Sequence, residues 1–505
     1  MCGIAAIINK SGVQADYNIL KKMADTIHYR GPDEDGVMID GPVGFFHKRL
    51  SIIDIAGGHQ PMTYNGFTIV YNGEIYNYIE LREDLKKKGH SFETSSDTEV
   101  ILHMYAEYGN NFVNFLNGMF AFIIYNKNEN CLFIARDHFG IKPLYYYHED
   151  GLIALGSEIK ALLAHPEIHA EADSNNLYEY LTFQFIMGTG TMFRNIHKIL
   201  PGHYICLDLN TWKTEQVQYW EPNFKIDPYH TEEYFIVELD KILKKTIYQQ
   251  LRSDVPLGTY LSGGIDSSFV TIMASKFLDT PLKCFSGAFK EGPEFNELQY
   301  ARYAAKTANA ELFEVFPSEQ EFIDLLPKLI YHLDEPVAGP GLFPQYIVSK
   351  LASKHVKVIL GGQGGDEIFG GYTRYLVAYF EQALKGAIYQ SNEEEEHIVS
   401  FESILPNLPT LKQYIPMMKS FWKDGSFEAM DRRYFHLINR MGSTSQFFHQ
   451  EFLNECRNER TFNKFSSYFN NPDTKSYFNK MTHFDMLGSL PGLLPNGFHR
   501  PDLQP

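Results

Sequence analysis

The stretch Leu261-Ser262-Gly263-Gly264-Ile265-Asp266-Ser267-Ser268 decides the fold of the larger part of this chain. It follows the short apolar run Pro256 to Leu261 and precedes Phe269-Val270-Thr271-Ile272-Met273-Ala274, so it reads as a strand, a tight glycine turn and a helix N-terminus. Two adjacent glycines let a backbone approach an anion closely. The free N–H groups at a helix start, with the hydroxyls of Ser262, Ser267 and Ser268, can donate to phosphate oxygens. No Gly-Lys-Ser/Thr follows, so this is not the lysine-containing phosphate loop. Asp266 would repel phosphate unless a divalent cation, here taken as magnesium, lay between them. A capped Gly/Ser turn with no ligand is the plainer reading of the motif alone.

Working outward, strands alternate with helices: Val255 to Leu261, a helix from Ser267, a strand Leu282 to Phe285, a helix Glu297 to Asn309 and a strand Leu312 to Phe316. A helix near Phe322 to Leu333 and a strand Val356 to Leu360 complete the series. This alternation predicts a parallel sheet with helices on both faces and ligands at the carboxyl ends of its strands. The last strand delivers a second glycine loop, Gly361-Gly362-Gln363-Gly364-Gly365-Asp366-Glu367-Ile368-Phe369-Gly370-Gly371-Tyr372. Two such loops, each with an aspartate, suggest one nucleotide site in which Asp266 and Asp366 share magnesium. Helix capping by Asp366 is the alternative. Upstream, Tyr229 to Leu251 predicts an amphipathic helix with Phe235, Ile236, Leu239, Ile242, Leu243 and Ile247 on one side.

At 505 residues the chain exceeds the roughly 250–300 that one core usually serves, so two domains are expected. A formal charge of −17 argues against a nucleic-acid surface. The run Glu393-Glu394-Glu395-Glu396 reads as a solvated face or loop. Five scattered cysteines without a Cys-x-x-Cys pair fit free thiols in a reducing compartment. With no basic-then-apolar leader and no long apolar run, the sequence reads as soluble and cytoplasmic, without membrane or nucleic-acid partners.

The chain opens Met1-Cys2-Gly3-Ile4, with a second residue small enough that removal of Met1 is expected. Cys2 would then carry its own α-amino group, a built-in base near pKa 7.7–8.0. Taken alone, an N-terminal cysteine reads better as a buried strand residue; the blocks that follow overturn that reading. Further blocks follow in order: Arg30-Gly31-Pro32-Asp33, Arg49-Leu50-Ser51, Asn72-Gly73-Glu74-Ile75-Tyr76-Asn77, Ser96-Asp97 at a helix start, and Arg136-Asp137.

Together these blocks resemble the N-terminal-nucleophile (class II) glutamine amidotransferase domain. The resemblance implies an α-β-β-α fold that hydrolyses glutamine: Cys2 attacks the side-chain amide, Asn72 and the Gly73 N–H form the oxyanion hole, Arg49 holds the substrate carboxylate, and Asp97 with Glu74 holds its ammonium. The pair Leu261 to Ser268 and Gly361 to Tyr372 resembles the ATP-pyrophosphatase domain of glutamine-dependent asparagine synthetases. That likeness implies that ATP and Mg2+ adenylate aspartate, with Ser262, Gly263, Gly264, Asp266, Ser267 and Ser268 holding pyrophosphate. Tyr260 and Gly362 would line the adenine side, and ammonia would pass internally from Cys2 to the acyl-adenylate. The implied organisation is a glutaminase over 2–210, a linker over 211–228 and an α/β synthetase domain over 229–494, with a homodimer as candidate assembly.

The chain departs from the family pattern twice. Where many members carry Ser-Gly-Glu-Gly-Ser-Asp-Glu, it has Gln363, an amide that cannot take a proton at ordinary pH. A water, Glu367 or phosphate then substitutes as base, or the acceptor is another carboxylic acid, on a sugar or peptide. After Leu494 the pattern gives way to Pro495-Asn496-Gly497-Phe498-His499-Arg500-Pro501-Asp502-Leu503-Gln504-Pro505, read as a disordered, atypical tail that leaves the synthetase pocket incomplete. A non-catalytic remnant is the corresponding alternative.

Overall fold

The computed structural model describes residues 1–149, 151–290, 297–336, 341–391, 393–394, 401–441, 446, 448–456 and 458–493. The atypical tail from 495 onward lies outside them, as do Glu395 and Glu396.

The first half is built on two six-stranded sheets. One runs in the order Ile196–Lys198, Tyr145–Glu149, Leu152–Gly156, Gly3–Asn9, Val43–Arg49, Glu34–Asp40; the other runs Lys213–Gln218, His203–Asp208, Cys131–Arg136, Gly118–Asn126, Phe67–Ile75, Met62–Tyr64. All their paired strands are antiparallel. Side-chain alternation explains the layering. Ile4, Ala6 and Ile8 point between the sheets onto Val70, Ala121 and Ile123. Ala5 and Ile7 point outward onto Leu20, Met23 and Ala24 of the helix Tyr17–Asp25. On the second sheet Ile69, Tyr71, Phe120 and Phe122 cover Val100, Ile101 and Met104 of the helix Asp97–Tyr108. Strands buried on both faces need continuous apolar runs, and the α-β-β-α order follows. The strand Lys213–Gln218 falls in the stretch expected as linker and instead pairs with His203–Asp208, carrying the second sheet past residue 210.

The second half holds a four-stranded parallel sheet in the order Glu311–Val315, Lys283–Gly287, Leu257–Tyr260, Val358–Leu360. The helices Ile265–Ser275 and Leu298–Thr307 cover one face through Met273, Ala274, Ala301 and Ala305. The helix Leu342–Ala352 covers the other through Val348 and Ala352 against Phe285. The strand order reverses between Leu257–Tyr260 and Val358–Leu360, which are hydrogen-bonded neighbours. Both glycine loops leave the carboxyl ends of these two strands, at the crevice where such sheets bind ligands.

Beyond the sheet, an aromatic helical body assembles Thr373–Tyr389, Met430–Ile438, Asn458–Phe469 and Tyr477–Phe484. Phe183, Phe185 and Met187, from the first part of the chain, are buried within it. Ion pairs also tie the halves: Arg252 to Glu80 at 2.6 Å through both nitrogens, Lys357 to Asp33 at 2.8 Å and Lys160 to Asp334 at 2.8 Å.

Two expectations are corrected. The helix Glu232–Gln250 forms, but among the residues expected to face a core only Ile247 is buried; Phe235, Ile236, Leu239 and Ile242 are exposed. Only its C-terminal end reaches the sheet layer, where Ile247 and Leu251 pack beside Met273. The acidic run is not wholly solvated either. Glu394 is buried and accepts from the Tyr379 hydroxyl at 3.1 Å and the Tyr477 N–H at 2.6 Å, while Glu393 pairs with Lys385 at 2.7 Å.

Candidate active site

Cys2 sits at the mouth of the strand Gly3–Asn9, and its sulfur accepts from the Leu50 N–H at 3.4 Å. The Arg30 guanidinium fixes the backbone here, donating from Nε to the Cys2 carbonyl at 3.0 Å and from Nη1 to Glu158 at 2.6 Å. Arg30 can take this place because Gly31 lies flat on the neighbouring strand: a Cβ there would stand 2.1 Å from the Lys48 carbonyl oxygen. Gly73 is required for the same reason, its Cβ falling 2.2 Å from the Met119 oxygen.

Cys2, Arg49, Asn72, Gly73, Glu74 and Asp97 line one cavity of about 50 Å3 with Met1 and Lys142. Asn72 is fully buried, and among the described residues neither its Nδ2 nor its Oδ1 has a hydrogen-bond partner. Leaving an amide so costs about 1–3 kcal/mol, a cost that a bound ligand can repay. Arg49 is no surface charge. Its side chain is 5% exposed and donates to Glu34 at 3.1 Å and to the Asp54 and Ile55 carbonyls at 2.7 and 3.0 Å. Three carbonyl and carboxylate acceptors hold the fork still and leave further N–H groups for a ligand carboxylate. Asp97 begins its helix behind the Ser96 cap, whose Oγ accepts from Thr98 N at 3.1 Å, and its own Oδ2 accepts from the Tyr71 hydroxyl at 2.9 Å and Ile75 N at 3.0 Å.

Burial dominates the electrostatics. It pushes the Cys2 thiol up, opposed by the amino terminus, the Leu50 N–H, Arg49 and Lys142. It raises Asp97, opposed by the Ile75 N–H and the Tyr71 hydroxyl. It raises Glu74 to about 7, opposed chiefly by Lys142. A cationic group entering between Glu74 and Asp97 would meet two carboxyls held back from ionising chiefly by burial and, for Glu74, also by the charge of Asp97.

The second site is made mostly of backbone. Gly263 adopts φ +98°, and a Cβ on it would meet the Glu297 oxygen at 2.8 Å. The hydroxyls of Ser262 and Ser267 lie 2.9 Å apart, and Gly264 N donates to Ser262 Oγ at 3.2 Å, so the turn is closed on itself before any anion arrives. Ser268 donates its N–H to the Gly264 oxygen at 3.1 Å within the first helical turn. The second loop presses directly on the first: a Cβ on Gly362 would come 2.8 Å from the Asp266 Cβ, and one on Gly365 within 2.7 Å of an Asp266 carboxylate oxygen. Asp266 is raised by burial and by the charge of Asp366, and neither carboxylate has a hydrogen bond or ion pair among the described residues. Two unpaired, mutually repelling carboxylates are an oxygen donor set that suits magnesium, whose remaining positions ordinarily fall to phosphates and water.

Three residues depart from the expected picture. The Tyr260 ring packs with Phe285 and Val348 and its hydroxyl lies 2.6 Å from Ser349 Oγ, so the side chain belongs to the core rather than to the loops. Glu367 is buried and accepts from the Tyr372 hydroxyl at 2.7 Å, while Gln363 beside it is exposed. Lys142, in the turn Gly140-Ile141-Lys142-Pro143, lines the Cys2 cavity although the sequence reading gave it no role; a lone lysine in a turn carries no pattern that marks burial.

Comparison with known proteins follows the same division. The glutamine amidotransferase domain family matches residues 1–220 and the asparagine synthase family matches 238–496. Glutamine-hydrolyzing asparagine synthetase 1 of Bacillus subtilis is 42% identical over 384 residues, 74% of this chain and 59% of the relative. A putative glutamine-hydrolyzing asparagine synthetase 2 of Methanocaldococcus jannaschii is 36% identical over 75% of this chain and 77% of its own length. Asparagine synthetase 3 of Bacillus subtilis is 34% identical over 82% and 70%. The match to the first of these spans about three-fifths of that relative's length. No described helix is long and apolar enough to cross a membrane. With both family matches falling on the two halves that the sheets define, the chain belongs to the glutamine-hydrolysing asparagine synthetase family.

Proposed function

We propose that the protein is a glutamine-dependent ligase that forms asparagine from aspartate, using ATP and magnesium. The observation that carries the first half of this reading is Asn72, a fully buried amide with both polar atoms unpaired beside a thiol. With Met1 removed, the α-amine of Cys2 takes the thiol proton and the sulfur attacks the glutamine amide carbon. Asn72 Nδ2 and the Gly73 N–H stabilise the oxyanion. The C–N bond breaks, ammonia leaves with the amine's proton, and water hydrolyses the glutamyl thioester to glutamate. Arg49 holds the α-carboxylate; Asp97 and Glu74 hold the α-ammonium.

In the second half, Ser262, Gly263, Gly264, Ser267 and Ser268 hold the pyrophosphate of ATP while the aspartate side chain displaces it, and Gly362 lines the adenine side. Asp266 and Asp366 would hold magnesium, which when bound neutralises phosphate charge. Ammonia then attacks the aspartyl-adenylate and AMP leaves. Five free thiols suit a cytoplasmic setting, and a homodimer is the assembly we infer. The exposed Gln363 supports a second reading, in which the same architecture amidates another carboxylate. An acceptor screen with ATP separates the two.

The test is formation of asparagine and AMP from ATP, Mg2+, aspartate and glutamine, with glutamate followed in parallel. Asparagine and AMP together support the ligase. Glutamate alone limits the function to amide hydrolysis. Asn72→Ala should lower glutamate release about 10²–10³-fold while leaving the melting temperature unchanged or higher; unchanged turnover would remove the oxyanion role.

A further inference from the structure

Lys142 is 2% exposed and has no ion pair among the described residues. Its one described side-chain hydrogen bond runs from Nζ to the Met1 sulfur, at 2.9 Å. Burial pulls the Lys142 ammonium down to about 8, opposed chiefly by the Glu74 carboxylate, and the backbone that carries it is fixed in place. The Asp137 carboxylate accepts from the N–H groups of Phe120, Ile141 and Lys142 at 3.1, 2.9 and 2.9 Å, and Arg136 Nε donates to the Lys142 carbonyl at 2.8 Å. These bonds pin the 137–142 turn and aim its lysine into the Cys2 cavity.

We propose that Lys142 is a positioning residue of the amide-hydrolysing site: its ammonium, lining one cavity with the Cys2 thiol and Glu74, steadies the thiolate once the α-amine of Cys2 has taken its proton, and faces the Glu74 carboxyl. This rests on the glutaminase reading above. The charges that face the group are Glu74 from the strand Phe67–Ile75, Asp137 from the pinned turn, Arg30 from the turn His28–Arg30, and Cys2. Arg49, on the strand Val43–Arg49, faces the thiol as well. Of these, Arg30 is ion-paired with Glu158 and Arg49 with Glu34, whereas Lys142 has no ion pair among the described residues. Its positive charge favours the anionic forms of the thiol and of Glu74. Removing Met1 also removes the sulfur that Nζ contacts.

The experiment compares the parent protein with Lys142→Met and Lys142→Arg. Iodoacetamide alkylation of Cys2, followed against pH by mass spectrometry of the N-terminal peptide, reads the thiol without needing turnover, and glutamate release reads the reaction. Lys142→Met should move the alkylation midpoint about one pH unit upward and cut kcat/KM for glutamine at neutral pH about tenfold, the loss shrinking as pH rises. Lys142→Arg should return the midpoint to the parent value. An unmoved midpoint in Lys142→Met, or an arginine variant as shifted as the methionine one, overturns the proposal. A parent that alkylates with the expected profile yet releases no glutamate would instead sink the glutaminase reading and leave the lysine's role standing.

Discussion

The cavity at Cys2 and the loops at Asp266 each suit a small charged molecule, and they are built in opposite ways. Around Cys2 the recognising atoms are side chains: Arg49, Asn72, Glu74 and Asp97 are each no more than 6% exposed, and they come from strands of both sheets and from the start of a covering helix. Around Asp266 they are backbone groups and hydroxyls at the ends of two neighbouring strands, with glycines where any Cβ would collide. The first construction carries its own charges, both signs in place, and needs nothing brought from outside. The second presents N–H groups and two carboxylates unpaired among the described residues, and on the proposed function phosphate and a cation would complete it together. A zwitterion suits the first and a metal-bound polyphosphate the second, so the two halves are separable in their chemistry although joined in structure.

That separation can be broken most severely at the nucleophile. Cys2→Ala should abolish glutamate release, a loss of about 10⁴-fold or more, while aspartate-dependent exchange between ATP and pyrophosphate proceeds as in the parent. Loss of exchange as well would mean that the sites are not independent. The reciprocal change is Asp266→Asn, expected to reduce AMP formation about 100-fold, with glutamate release within twofold of the parent. Gly362→Ala sharpens the contrast further. The added methyl lies 2.8–2.9 Å from Asp266 Cβ and Ser267 N, which must shift, so the variant should lose about 1–3 kcal/mol of stability and most ATP-dependent activity, again sparing the glutaminase.

The mildest test is a pH dependence. Burial holds Glu74 at about 7 in the folded protein against an ordinary 4.5, so between these values the folded state binds more protons than the unfolded one and stability falls as pH rises. Glu74→Gln should flatten that decline, changing the melting temperature by about 2 °C across the window. An unchanged slope of melting temperature against pH would mean that Lys142 keeps the carboxylate ionised throughout.

Much of this was legible in the chain because the chemistry requires particular residue types. A zwitterionic substrate calls for one cation and one or two anions, and Arg49, Glu74 and Asp97 stood in short blocks that could be recognised in order. The glycine loops were legible as turns; the structure adds that Gly263 and Gly362 lie against neighbouring backbone and Gly365 against the Asp266 carboxylate. What remained hidden depends on long-range packing. Nothing near Glu394 in sequence announces the Tyr379 hydroxyl and Tyr477 N–H that bury it. Tyr260 precedes the phosphate loop, but strand alternation turns its ring to the opposite face, toward Ser349. The helix Glu232–Gln250 has the period of a buried amphipathic element, yet the register of hydrophobicity cannot tell which stretch of it meets a neighbour.

The strand order of the parallel sheet also bears on when the second site comes into being. Val358–Leu360 is the last strand of that sheet to be synthesised, yet it docks beside Leu257–Tyr260, the first. Closing so long an intervening segment carries an entropic cost that grows slowly with length, roughly as (3/2)RT ln n, and until it is met Asp266 and Asp366 are strangers. On the function proposed above, a nucleotide analogue with magnesium would bind only after Val358–Leu360 has docked. It would serve as a chemical clock for the final event of folding, counting finished molecules on a translating ribosome while half-built ones stay silent.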